Sequence, residues 1–122
     1  MIDHLSLYVE NYARAKAFYL AALQPLRYGL IMEFPMVGGF GVDGKPDLWI
    51  VEKPASKFAT HICLRAENRA QVDAFYAAAI AAGAKDNGKP GIRSEYHANY
   101  YGAFVIDPDG NNLEAVCHEA VR

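Results

Sequence analysis

The chain has 122 residues, 52% of them hydrophobic, which is enough for one domain with a modest core. A net charge of -2 with no run of lysines or arginines supplies none of the positive stripe that a phosphate backbone requires, so nucleic acid is not an expected partner. No apolar stretch approaches the roughly 20 residues that span a bilayer. The opening MIDHLSLYVENYARAK has neither the basic start nor the apolar core of a secretion signal, so the expectation is a soluble cytoplasmic protein, off the membrane, with both cysteines reduced.

The first element is an alternating strand: Leu5, Leu7 and Val9 share one face, and His4, Ser6 and Tyr8 share the other. Asn11 then predicts a helix N-cap, because a short polar side chain can accept from the unpaired amides of the first turn. Ala15, Phe18, Tyr19, Ala22 and Leu23 follow at the spacing of one buried helical face. Short apolar runs come next, LRYGLIMEF, GGFGV and DLWIVE, punctuated by turn residues, and predict three more strands.

At Thr60 the chain begins again. Sliding the sequence by 57 places aligns Asp3 to Leu23 with Thr60 to Ile80 without a gap, and ten of the 21 pairs are identical. They include His4 with His61, Leu7 with Leu64, Glu10 with Glu67, Asn11 with Asn68, and the Phe18-Tyr19 pair with Phe75-Tyr76. Two copies of one supersecondary unit are implied. In the second, Ile62 and Leu64 lie opposite His61 and Cys63, and Asn68 caps a helix whose buried face is Val72, Phe75, Tyr76, Ala79 and Ile80, with Gly83 as its stop. Lys85 to Asn99 reads as a strand with long loops or as a mobile flap; YGAFVI and NLEAVC are strands. The expectation is an α+β fold of two tandem βαβββ modules, about 1–57 and 58–122, in one domain covering 1–122.

Parity places Glu114, Val116 and His118 opposite the apolar face of the last strand, as His4 and His61 lie opposite theirs. A carboxylate amid an apolar strand is costly to bury without a partner. A divalent metal would satisfy it and both imidazoles, leaving positions open for water or substrate. His118 lies at the end of the chain, where an exposed or interfacial position is expected. SEYHANYY, Ser94 to Tyr101, reads either as an aromatic flap with His97 as a general acid or base, or as a surface loop packed on a dimer partner. The DPDG at Asp107 to Gly110 reads as a tight turn.

The duplicated unit, the strand-opening His4 and His61, the FY pair of each helix and DPDGNNLEAV together resemble the vicinal oxygen chelate superfamily. That group includes glyoxalase I, extradiol dioxygenases, fosfomycin-resistance thiol transferases and bleomycin-resistance proteins. The resemblance covers essentially the whole chain and implies a cupped mixed sheet, the glyoxalase-like fold. It implies a divalent ion (Fe, Mn, Ni, Co or Zn) on His4, His61 and Glu114, acting as Lewis acid on a small oxygen-chelating substrate in a lyase, thiol-transferase or dioxygenase reaction. Trp49 falls where glyoxalase I carries a fourth ligand, and Glu52 lies on the other face of that strand, so this chain departs from glyoxalase I there. Ser6, Tyr8, Trp49, Cys63, Tyr96, Tyr100 and Tyr101 are the expected substrate pocket. Catalytic roles fall to Glu114 and His97. A homodimer is expected, and the rival from another class is a metal-free ligand-sequestering protein of the bleomycin-resistance type.

Overall fold

A computed structural model describes residues 2–54 and 59–121. The first repeat runs β1 (Leu5–Val9), α1 (Tyr12–Leu23), a 3-10 turn (Gln24–Leu26), β2 (Gly29–Phe34), β3 (Val37–Val42) and β4 (Lys45–Glu52). The second runs β5 (His61–Arg65), α2 (Arg69–Ala81), β6 (Lys85–Ile92), β7 (Tyr101–Ile106) and β8 (Asn112–Cys117). Each repeat folds its strands into a four-stranded mixed sheet, β1-β4-β3-β2 and β5-β8-β7-β6. In both, the opening strand pairs in parallel with the closing one and the remaining pairs are antiparallel. Lys85 to Ile92 is thus a strand, with register shifts at Gly88 and Gly91, and turns occupy the residues after it.

The helices start where the asparagines are. Asn11 accepts from the Arg14 amide at 2.9 Å and Asn68 from the Gln71 amide at 2.8 Å, each meeting one orphan first-turn donor. Helix α2 ends just before Gly83, whose φ of 105° is the conformation a glycine tolerates best. The buried face of α1 is Tyr12, Ala15, Phe18, Tyr19, Ala22 and Leu23. That of α2 is narrower than its spacing predicts: Val72, Phe75 and Ala79 are fully buried, Tyr76 is half-buried and Ile80 is 38% exposed. One core collects these faces with Leu7, Phe40, Ile50, Val105 and Leu113 from the two sheets.

The repeats are tied by polar contacts at the turn between β7 and β8. Asp107, 4% exposed, accepts from the Tyr19 hydroxyl of α1 at 2.5 Å and from the Asn111 amide at 2.8 Å. Asp109 accepts from the Glu10 amide at 2.9 Å and from the Arg14 guanidinium at 3.1 Å. DPDG is therefore a turn, as its residues suggest, and also the point where the first helix is fastened to the second sheet. No described helix is long and apolar enough to cross a membrane.

Candidate functional site on the outer face of the second sheet

Because β5 and β8 are parallel neighbours, Cys63 stands beside Glu114, and Phe104 of β7 stands on its other side. Ile62, Leu113, Ala103 and Ala115 turn inward to the helices. The opposite, outer face therefore carries His61, Cys63, Phe104 and Glu114. Glu114 is 2% exposed, and both its oxygens are engaged. Oε1 lies 2.9 Å from His61 Nε2, and Oε2 accepts from the Tyr100 hydroxyl. The buried carboxylate anticipated from the strand pattern is thus met by protein groups, a phenol and an imidazole, rather than left open.

Gly102 makes room for this contact. A Cβ there would lie 3.1 Å from the Tyr100 ring and 3.5 Å from Glu114 Oε2. The network perturbs its neighbours: burial first, then the hydrogen bond to Glu114, raises the Tyr100 phenol well above its ordinary value. Cys63 belongs to an exposed residue, but its desolvated sulfur lies beside that carboxylate. Burial and then the Glu114 charge push the thiol up to about 12. A thiol held protonated in this way is slowed as a nucleophile.

An aromatic group surrounds the carboxylate. The Phe104 ring lies 6.4 Å from His61, Tyr96 meets Tyr100 edge-on at 4.8 Å, and Arg93 sits 5.5 Å above Phe104. His97 packs on Tyr100 at 5.3 Å, with its Nε2 2.7 Å from His118 Nδ1, so it reaches Glu114 only through Tyr100. Tyr101, expected in the pocket with Tyr100, is turned the other way. Its hydroxyl donates to Asp73 of α2 at 2.7 Å and the Arg69 guanidinium lies 5.0 Å from its ring, because strand alternation begins at Tyr101 and puts it on the helix side.

The first sheet carries the other predicted residues. Ser6 pairs with Trp49 in the β1–β4 register, and the Trp49 ring crosses Gly39, where a Cβ would come within 2.8 Å of it. Tyr8 is exposed, with Lys53 4.8 Å from its ring centroid. Glu52 turns to the helix side, where its carboxylate accepts from the Tyr12 amide at 3.4 Å, so it does not replace Trp49 on the outer face. His4 Nδ1 lies 2.8 Å from Asp3 Oδ1, at the rim of a cavity of about 190 Å³ lined also by Tyr28, Asp47, Ile62 and Cys63.

These distances test whether an ion fits. His61 and Glu114 form a ready pair of donors on one face, of the imidazole and carboxylate types that borderline divalent metals accept. His4 does not join them within one chain. Among the described residues no group of three His, Cys, Asp or Glu side chains is arranged to hold a metal. A single chain supplies two of the three donors that the sequence pattern brings together.

No protein-family pattern matches the sequence, and no curated protein matches it. Solved structures do. A glyoxalase/bleomycin resistance protein from Albidiferax ferrireducens T118 superposes with a TM-score of 0.82 at 27% identity, over 94% of this chain and 97% of that one. A glyoxalase/bleomycin resistance protein/dioxygenase family enzyme from Burkholderia phytofirmans PsJN gives 0.74 at 20% identity over 97% and 98%. A glyoxalase/dioxygenase from Nostoc punctiforme gives 0.73 at 18% identity over 98% and 92%. The paired βαβββ repeats and these neighbours identify the chain as a protein of the glyoxalase/bleomycin resistance/dioxygenase fold, the fold of the vicinal oxygen chelate superfamily.

Proposed function

We propose that the chain is a cytoplasmic, metal-dependent enzyme of lyase, thiol-transfer or dioxygenase type, acting on a small oxygen-chelating substrate as a homodimer. The ion would be held by His61 and Glu114 of one copy and by the partner subunit's His4. The observation that carries this reading is the adjacent His61 and Glu114 pair, 2.9 Å apart on the outer face of the second sheet, which no third His, Cys, Asp or Glu among the described residues joins in a metal-holding group. A second copy is also suggested by the first sheet. Glu33 is turned to α1, where it bonds Tyr12 and Lys16, so its neighbours Met32 and Phe34 point outward and are exposed, Phe34 by 55%. Met36, in the turn after them, is exposed too. An exposed apolar group of this kind marks a contact surface.

The ion would act as a Lewis acid on an oxygen of the substrate. The chain's own residues supply the rest. Tyr100 holds a proton at its hydroxyl, donates it in a hydrogen bond to Glu114 Oε2, and fixes that carboxylate's rotamer. His61 is oriented by the same carboxylate from the other side. Tyr96 and Tyr100 from the turn and Phe104 from β7 stand beside the pair on this face. The two repeats then act as one domain, each lending one outer face.

One observation favours the metal-free reading: both oxygens of Glu114 already have protein partners, so burial of the carboxylate does not itself demand a cation. Metal content per chain, by mass spectrometry of the natively purified protein and of His61→Ala, separates the two. About one equivalent in the parent and little in the variant supports the enzyme. Equal content in both sinks the site assignment. No metal in either after reconstitution, with tight binding of a planar compound by the stripped protein, supports sequestration.

A further inference from the structure

Arg93 stands on the same outer face as His61 and Glu114. Its amide donates to the Tyr100 carbonyl at 2.8 Å, which continues the β6–β7 pairing one step beyond Ile92 and Tyr101. Strand alternation then turns Arg93 and Tyr100 to one side, and Tyr100 is the residue that reaches Glu114. From there the Arg93 side chain folds back over β6. Gly88 pairs with Phe104 and Gly91 with Gly102, so three steps along β6 oppose two along β7 and the extra residue makes a bulge. Arg93 Nη2 donates to the Lys89 carbonyl in that bulge at 2.7 Å, and Cζ lies 5.5 Å from the Phe104 ring centroid. The two glycines leave the space it occupies: a Cβ at Gly88 would lie 3.1 Å from Nη2, and one at Gly91 would lie 3.2 Å from Nη1.

These contacts hold the guanidinium without cancelling its charge, because a carbonyl and an aromatic ring are both neutral. The Lys89 bond uses one N–H group, and a guanidinium carries others in a planar fork that matches the two oxygens of a carboxylate. The place matters as much as the charge. Phe104 stands between Arg93 and the imidazole, with its ring 5.5 Å from one and 6.4 Å from the other, and it neighbours Glu114 across the β7–β8 pair. A small molecule engaged by His61 and Glu114 would therefore extend past Phe104 towards a fixed cation.

We propose that Arg93 is a specificity-determining residue and that the substrate is a small carboxylic acid. Its carboxylate pairs with the Arg93 guanidinium, its apolar body packs beside Phe104, and its far end carries the oxygens presented to His61 and Glu114. The inference rests on the proposed function for what happens at that far end. The carboxylate subsite itself uses only Arg93, Phe104 and the glycines of β6, so it requires no metal. Its selectivity follows from the pairing: an uncharged ligand of the same shape keeps the contact with Phe104 and loses the charge-assisted hydrogen bonds.

The test is an NMR titration of the metal-stripped full chain with benzoate, and with benzamide as its uncharged counterpart. The amides of Gly88, Gly91 and Gly102 report on the subsite, and those of Leu113 and Ala115 report on the fold. The parent is compared with Arg93→Gln, with Arg93→Lys, which keeps the charge without the fork, and with Arg65→Gln, which removes an exposed arginine elsewhere. Benzoate should shift the three glycines and give a cross-relaxation signal to the Phe104 ring. Benzamide should bind the parent on the order of tenfold more weakly, and Arg93→Gln should lose benzoate affinity by a similar factor. Arg93→Lys should fall between, and Arg65→Gln should match the parent. The subsite is overturned if the parent shows no saturable benzoate binding, if it binds benzamide as well, if Arg93→Gln keeps the parent's affinity, or if the shifts and the cross-relaxation lie away from the glycines and Phe104. Metal content plays no part in this titration, so the subsite can fail while the metal site stands, and a chain that takes up no metal can still show it.

Discussion

Glu114→Gln should make Cys63 more reactive, and the size of the change follows from the two causes acting on that thiol. Gln keeps the volume of Glu114; its oxygen can accept from the Tyr100 hydroxyl while its NH2 donates to a bare His61 Nε2, so it removes the charge and little else. The Cys63 thiol is pushed up to about 12 from an ordinary 9.0, by burial first and by the Glu114 carboxylate second. Three units mean about a thousandfold less thiolate at pH 8. Part of that is returned, because a more basic thiolate attacks faster by about threefold per unit. Cys63 in the parent should thus react with a disulfide reagent about 30-fold more slowly than an unperturbed thiol. The larger cause, burial, survives the substitution. Loss of one adjacent charge is worth on the order of one unit, giving about tenfold more thiolate and a net acceleration of about threefold. The assay is the pH dependence of the reagent's rate on metal-stripped protein. Cys117 is fully buried, so the accessible phase belongs to Cys63. A parent thiol that titrates like a free one, or a variant with the parent's rate profile, would mean that the charged carboxylate does not act on this sulfur.

Three further outcomes are expected. Tyr19→Phe removes the hydroxyl that Asp107 accepts from in a buried site, and should cost about 1–3 kcal/mol in urea unfolding; a loss below about 0.5 kcal/mol would mean that the contact does not fasten α1 to the second sheet. Gly41→Ala puts a Cβ 1.9 Å from the Lys45 carbonyl, so backbone must move, and the melting temperature should drop by an amount corresponding to at least about 1–3 kcal/mol. Phe34→Glu with Met36→Glu, at exposed positions, should leave the monomer's stability almost unchanged while light scattering shows the dimer dissociating; a dimer that persists would move the contact surface elsewhere.

What could be read from the sequence was whatever depends on period and local chemistry. Two-residue alternation put His61, Cys63 and Glu114 on the face away from the helices, and the structure has Cys63 beside Glu114 there. Asn11 and Asn68 cap the helices because capping needs only a short acceptor next to a helical stretch. Tyr100 and Tyr101 were harder, because adjacent residues part company only where a strand begins. The onset of β7 at Tyr101 sends one to Glu114 and the other to Asp73. Gly102 carries no signal by itself; its role depends on a phenol arriving from outside the strand. His118 was legible as a chain-end histidine but its partner was not, since 21 residues and a turn separate it from His97. That His4 does not complete a group of three with His61 and Glu114 depends on how the two sheets are disposed, which neither strand encodes.

If the metal site takes its third ligand from a second copy, mixing two defective chains restores it. His4→Ala keeps His61 and Glu114, and His61→Ala keeps His4. Each variant alone should bind little metal. Unfolded together and refolded as a mixture, they should regain tight binding, one intact site in each hybrid pair, measured as metal retained after gel filtration. No recovery in hybrids that demonstrably form would contradict a site shared between copies, and full binding by either variant alone would remove that histidine from the ligand set.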